Sequence, residues 1–385
     1  MTPKTIMVVA GDPSGDANGA GLVKALALAV PGAQFIGAGG PKMAAAGVRL
    51  EFDLTSHSAI GPADAIKNLG SFWKRRRRLF DLAVEKRPEL VILVDSYTFN
   101  QPLARAIKKF ARGHPSDWQP KIVRYTSPQV WGSRPGRAEK MAGDIDLLLC
   151  LFPFEKDWYV RRGTPLRVEF VGHPLFDLHE EGPQPSTGED MTPAEKAVVV
   201  LLPGSRTGEI KRHLPVMLEA AREISAVQPA RFKTVALNEK LAEDIRSFLA
   251  DGGVEVELQI GRLAEALSTA TIAIASTGTV TMECAYFGLP TVAMYKVSPV
   301  AYHLLRWLVT IKYAAMPNIL ADEELFPEFL QGRATAQNVA NAALDLLADG
   351  ALRSEIKGKL RRVIATLGGP GSARRAAAII LGLKD

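Results

Sequence analysis

Short, almost unbroken aliphatic runs, each followed by a longer helical stretch, constrain this chain more than any other feature. In the first half the runs are TIMVVAG (5–11), AQFIGAG (33–39), ELVILVD (89–95), KIVRYTS (121–127), DLLLCLF (146–152) and VEFVG (168–172). A strand that is apolar at consecutive positions is shielded from water on both faces, as in a parallel sheet with helices on either side. The pattern restarts with AVVVLLPGSR (197–206) and continues through 232–237, 254–260, 271–276 and 290–296. Between the halves lies EEGPQPSTGEDMTPAEK (180–196), rich in Pro, Gly and acid and without an apolar period; it reads as a linker. Two doubly wound α/β domains of similar size account for this order most simply.

Composition narrows the class. The 385 residues suffice for two domains, and 47% hydrophobic with 23% charged residues argues against long disorder. Cys150 and Cys284 both sit in apolar runs and read as reduced core residues, with no disulfide or zinc spacing. The opening residues carry no secretory pattern, and no apolar run reaches the roughly 18 residues that span a bilayer. The expectation is a cytoplasmic chain. A net charge of +6 points to anionic partners without choosing among nucleic acid, phosphosugar and membrane.

In doubly wound sheets ligands bind just beyond the carboxyl ends of strands, so those loops carry the candidate chemistry. The strongest is Ser276-Thr277-Gly278-Thr279, where a strand runs into a helix. Small residues let the backbone approach a ligand, and a helix start supplies free N–H groups, a combination suited to pyrophosphate. Glu283, one turn on, is placed to accept from two ribose hydroxyls; a solvated Glu on a capped helix is the competing reading. In the same half, Gly204-Ser205-Arg206 ends another strand, and Arg206 offers a forked donor to a diphosphate. Taken alone it would also pass for a turn with a surface Arg. With no P-loop and no dinucleotide fingerprint, the pair favours a nucleoside-diphosphate group.

The first half differs. Its Gly-rich turn VAGDPSGDANGAG (9–21) holds Asp12, Ser14, Gly15 and Asp16, putting acid where a phosphate wants none. It suits hydroxyl recognition or close approach to a substrate. Asp95 ends a fully apolar strand and fits a general base, with helix capping as the alternative. His173 ends another strand and reads as structural. Asp144 and Asp146 form an Asp-x-Asp pattern, but at the starting edge of a strand, so no metal is expected there.

GSFWKRRRRLF (70–80) sets Trp73 beside five consecutive cations, Lys74, Arg75, Arg76, Arg77 and Arg78. At about 100° per residue such a run leaves no helix face neutral. It interrupts an apolar stripe through Ile66, Leu69 and Phe72 that resumes at Leu79. Aromatics beside cations suit an anionic membrane surface or an acceptor phosphate; a solvated helix end is the bland alternative, and AYHLLRWLVTIKYA (301–314) is a second candidate for the patch. RNA binding would spread the cations along a face, so no nucleic acid is expected.

With these residues in place, the chain resembles the lipid-A-disaccharide synthases, glycosyltransferases of GT-B architecture with two Rossmann-like domains facing a cleft. AGDPSGDANGAGL, GAGGPKMAAAGV, YTSPQVW, LFPFEKDWY, FVGHPL, LLPGSR, STGTVTMECA and MPNIL occur in the family's order over nearly the whole chain. The resemblance implies an acceptor- and membrane-facing domain over 1–185, a UDP-sugar domain over 186–350, and helices over 351–385 packing back toward the first domain. It implies inverting transfer of a diacylated glucosamine from UDP to the 6-hydroxyl of diacylglucosamine 1-phosphate, without cofactor or metal, on the cytoplasmic face of the inner membrane. A homodimer is left open. Asp95 and Arg206 match the family's essential aspartate and arginine, and Glu283 and Asn318 its nucleotide-side positions. The chain departs from the pattern at Asp12 (usually Glu), at Tyr97-Thr98 (usually Pro-Asp), at Gly132-Ser133 (usually Ala-Trp) and over 57–64. Another UDP-sugar enzyme of the same architecture, either a transferase to a different lipid or a 2-epimerase, is the alternative.

Overall fold

The computed structural model describes residues 5–55, 69–115, 117–180, 183, 196–298 and 311–384. Most of the expected linker, the 57–64 stretch, Ile66 and residues 301–310 lie outside the described residues. The chain divides into two compact units, one formed by Met1–Asp177 with Leu367–Asp385 and the other by Leu178–Thr366.

The first unit is built on a seven-stranded parallel sheet: β1 (Thr5–Ala10), β2 (Gln34–Gly39), β3 (Val48–Asp53), β4 (Leu90–Val94), β5 (Lys121–Tyr125), β6 (Leu147–Cys150) and β7 (Arg167–Phe170), in spatial order β3-β2-β1-β4-β5-β6-β7. Alternate residues of each central strand feed two separate cores. Met7, Val9, Val91 and Leu93 pack under the helices Leu69–Lys86 and Tyr97–Gly113 through Leu79, Ala83, Leu103 and Ile107. Ile6, Val8, Ile92 and Val94 pack under helix α1 (Pro13–Ala29) through Leu22, Val23 and Leu26. The C-terminal helix Ser372–Leu381 joins this second core through Ala376, Ala377 and Ile380, and Asp177 holds its first turn by accepting from Gly371 N, Ser372 Oγ and Ala373 N. Each fully buried Leu or Val contributes about 1.5–3 kcal/mol relative to exposure, so Leu22→Ala alone removes a sizeable share of a domain's net stability.

The second unit repeats the plan with six parallel strands: β8 (Ala197–Leu202), β9 (Ala230–Ala236), β10 (Val256–Ile260), β11 (Ile272–Ser276), β12 (Thr291–Tyr295) and β13 (Glu328–Leu330), in order β10-β9-β8-β11-β12-β13. The helix Gly350–Ala365 belongs to this unit, and the crossing back to the first comes at Leu367.

Two strands are absent from the sequence reading. β3, VRLEFD, is mostly half-buried along an edge, and β13 has only three residues at the other sheet's edge. Neither has the continuous apolar run of a strand covered on both faces. In both sheets the strand order reverses once, between β1 and β4 and between β8 and β11. Ala10 pairs with Val94 in the first and Leu202 with Ala275 in the second, so two strand ends emerge side by side at each reversal. Such a switch point opens a crevice at the sheet's carboxyl edge.

Candidate active site

At the first switch point Asp95 follows β4 directly. It has φ +49° and Ser96 has φ +39°, a left-handed turn that costs non-glycine residues roughly 1–2 kcal/mol each. Four contacts hold it. Asp95 N–H donates to Tyr125 O (2.9 Å), and its carbonyl accepts from Arg124 Nη2 (2.9 Å) and Asn100 Nδ2 (3.1 Å). Thr126 Oγ1 donates to carboxylate oxygen Oδ1. The start of α1 closes against the turn, and glycine is required there. A Cβ on Gly11 would lie 2.4 Å from Ser96 Oγ, and one on Gly15 3.3 Å from Asp95 Oδ2. Burial raises the Asp95 pKa to about 6, reinforced by the neighbouring Asp12 and opposed by Thr126 and Arg124. A carboxyl poised there is ionised at neutral pH yet basic enough to take a proton.

The other residues of the Gly-rich turn divide. Asp12 caps α1, accepting from Gly15 N (2.8 Å), while Ser14 is exposed on the first turn. Asp16 is buried. It accepts from Gly40 N (2.8 Å), Met43 N (3.0 Å) and Lys42 N (3.0 Å), tying the GGPKM turn to α1. His173 is buried too, its Nδ1 accepts from Leu175 N (3.2 Å), and burial pushes its pKa down to about 4. Asp144 pairs with Arg105 and Asp146 with Lys108. Asp16, Asp144 and Asp146 are thus each engaged by other groups of the fold.

At the second switch point Gly204-Ser205-Arg206 follows β8. Gly204 has φ +123°, and a Cβ there would meet Glu209 Oε2 at 2.5 Å. Glu209, in the first turn of helix Thr207–Val227, accepts from Ser205 N (3.1 Å) and from Arg206 Nη1 (3.0 Å). The Arg206 side chain is half exposed, and a pair of this kind is worth under about 1 kcal/mol, so the guanidinium is only weakly held by Glu209. Sequence reasoning missed Glu209, although a carboxylate three residues into a helix and accepting from its entry loop is a known capping signal. It also missed His213. That residue is buried, donates from Nδ1 to Pro203 O (2.7 Å) and accepts at Nε2 from Lys296 N (3.1 Å), pinning the loop after β8 to the end of β12.

Beside it, Ser276 ends β11 buried, and Thr277 N donates to Met294 O (3.0 Å). Gly278 and Thr279 are exposed at the start of helix Thr279–Tyr286, whose first turn is braced by Thr281 Oγ1 donating to Gly278 O (2.7 Å). Glu283 lies partly exposed one turn on. Asn318 differs from these. Both its amide hydrogens go to Phe326 O and Glu328 Oε1, and its oxygen accepts from Leu325 N and Phe326 N, so no valence is left for a ligand. Its buried place shapes the loop before β13.

The chain's sequence matches the model of the lipid-A-disaccharide synthetase family over residues 6–381. It is 35% identical to the lipid-A-disaccharide synthase of Geobacter sulfurreducens, covering 99% of this chain and 97% of that one. To the enzyme of the same name from Myxococcus xanthus it is 35% identical, over 99% and 98%. The chain belongs to the lipid-A-disaccharide synthetase family.

Structural likeness extends the fold further. A Staphylococcus aureus MnaA–UDP co-structure aligns with TM-score 0.63 at 14% identity, over 99% of this chain and 97% of that one. The calicheamicin glycosyltransferase CalG4 aligns with TM-score 0.58 at 17%, over 99% of each. The family's architecture is GT-B, and the chain is a glycosyltransferase by membership.

The basic helix Leu69–Lys86 carries the last expected residues. Leu79, Leu82 and Ala83 enter the core, and Phe72 meets Phe99 with ring centroids 6.0 Å apart. Three of the five cations are engaged: Arg78 with Glu51 (2.7 Å), Arg77 with Asp81 (2.9 Å), and Arg75 over the Phe52 ring (5.7 Å). Lys74 and Arg76 form no ion pair among the described residues, and Trp73 beside them is 59% exposed. Among the described residues, no helix is long and apolar enough to cross a membrane.

Proposed function

We propose that this chain joins two diacylated glucosamines, transferring the sugar of UDP-2,3-diacylglucosamine to the 6-hydroxyl of 2,3-diacylglucosamine 1-phosphate with inversion and release of UDP. The observation that carries the reading is Asp95, a carboxyl raised to about 6, locked at the switch point of one sheet with its Oδ2 against a glycine. Asp95 takes the proton from the acceptor hydroxyl as its oxygen bonds to the anomeric carbon and the bond to the UDP oxygen breaks. The negative charge that develops on the diphosphate is met by Arg206 and by the N–H groups at Gly278-Thr279, the kind of fixed donor set worth several kcal/mol. Glu283 holds the ribose hydroxyls. Family membership supports the acylated substrates, which must be drawn from a lipid surface. Trp73, Lys74 and Arg76 provide the contact with its anionic headgroups, on the cytoplasmic face of the inner membrane.

The direct test is mass spectrometry of products after incubation with UDP-diacylglucosamine and the monosaccharide phosphate. A tetra-acylated disaccharide phosphate formed in step with UDP is the expected result. UDP-sugar isomerised at C2 with no disaccharide would instead assign a 2-epimerase.

A further inference from the structure

Arg124 is the fourth residue of β5, a strand whose other interior positions are apolar, and it is paired with Leu93 beside the end of β4. It is 1% exposed, the largest fully buried side chain of the described residues. Its Nη2 donates to the carbonyl of Asp95 at 2.9 Å, while Nε and Nη1 have no hydrogen-bond partner. The Tyr97 ring lies 5.2 Å from its guanidinium carbon, and Arg137 lies 4.9 Å from the same ring. A buried cation with two donors unmatched is costly, and an apolar residue of similar volume is often neutral or better for stability. Such a residue persists where function needs it.

We propose that Arg124 is a positioning residue for glycosyl transfer: its buried cation is the internal counter-charge of the Asp95 carboxylate, and its Nη2 holds the left-handed Asp95–Ser96 turn. The inference rests on the reading of Asp95 as base. Burial lowers the Arg124 pKa only to about 10, so the group stays charged through the working range. Asp95 is the carboxylate whose charge acts on it; Tyr97 and Tyr159, which also face it, are phenols. The groups that face Asp95 are Asp12 and Asn18 from α1, Thr126 from the loop after β5, and Arg124 itself. Asp12 and burial push Asp95 toward the neutral acid, and Arg124 opposes them. It keeps the base ionised at neutral pH in a site dry enough to make it basic.

The test compares Arg124→Gln, which keeps a donor but no charge, with Arg124→Lys, which keeps the charge. With the counter-charge gone, the Asp95 pKa rises, so the acidic limb of the kcat/KM profile should move up by about one pH unit in the Gln variant, roughly a tenfold loss below the limb with a smaller loss at pH 8.5. The Lys variant should keep the wild-type limb. A limb that stays in place in Arg124→Gln, whatever the overall rate, overturns the proposal. A second readout does not depend on catalysis. Asp95→Asn should raise the melting temperature at pH 8 more in the Arg124→Gln background than in the wild type, because the carboxylate it replaces is then uncompensated. Equal increments overturn the counter-charge. If Asp95→Asn keeps full activity while the increments differ, the base reading fails and the pairing stands.

Discussion

The two switch points share one topology and carry opposite chemistry. In the first unit a carboxylate follows the strand, largely buried, in a left-handed turn and beside a second acid. In the second unit an arginine lies in the loop after the strand, half exposed, beside a helix start at which Gly278 and Thr279 are exposed. The difference comes from what each loop packs against. Gly11 and Gly15 let α1 close onto Asp95, whereas Gly204 and Glu209 keep the arginine loop at the surface. A general base gains from lost water because its proton affinity rises, while a phosphate clamp must stay open to an incoming anion. One scaffold therefore suits both proposed roles, with the loops supplying the difference.

The largest effect expected is from Asp95→Asn, which should lower kcat by about two to four orders of magnitude while leaving UDP affinity, read by calorimetry, unchanged. The same variant should melt higher than wild type at pH 8 and equally at pH 3.5. The Asp95 pKa is raised in the fold, so its stabilising contribution is present below about 4 and is lost as pH rises through about 6. Normal turnover in this variant would dissolve the distinction between the two strand ends.

Next is Arg206→Ala, expected to cost about two to three orders of magnitude in turnover and to weaken UDP as well, unlike the aspartate change. If UDP binds as before and turnover is normal, the second loop is not the diphosphate clamp.

A smaller effect attaches to the basic helix. Lys74→Ser with Arg76→Ser should weaken binding to anionic liposomes by about thirtyfold, at roughly 1 kcal/mol per cation, with little change on detergent-dispersed substrate. Arg77→Ser, whose cation is already paired with Asp81, should change less. A parallel fall in both assays would place the pair at the acceptor phosphate.

The smallest effect is from EDTA. Transfer should proceed at the same rate with the chelator as without it. A collapse restored by magnesium or manganese would show that Arg206 and the helix start do not suffice for the leaving diphosphate.

Legibility followed burial. Strands covered on both faces announced themselves as continuous apolar runs, and the rule of inspecting the loops after them brought Asp95 and Arg206 into view as candidates. β3 and β13 could not, because an edge strand needs only one apolar face or a few residues. Asp16 looked like a ligand contact because its motif is polar and Gly-rich, and Asn318 because the family resemblance places it on the nucleotide side. In the structure their valences are consumed by backbone groups distant in sequence, Gly40 and Met43 for one, Phe326 and Glu328 for the other.

The sequence by itself determined the two parallel sheets, the strand-end positions of the acid and the arginine, and the cationic block, since each depends on residues within one turn or one strand. Only the tertiary structure decided which polar groups are spent and which are free. It split the expected 351–385 helices, keeping Gly350–Ala365 in the second unit and joining Ser372–Leu381 to the first, engaged three of the block's five cations, set Glu209 against Arg206, and buried Arg124 against the Asp95 carbonyl. The physical reason is range. Backbone conformation and hydrophobic period are local, but a charge acquires its pKa, its partner and its dryness from whatever the folded chain brings within a few ångströms of it.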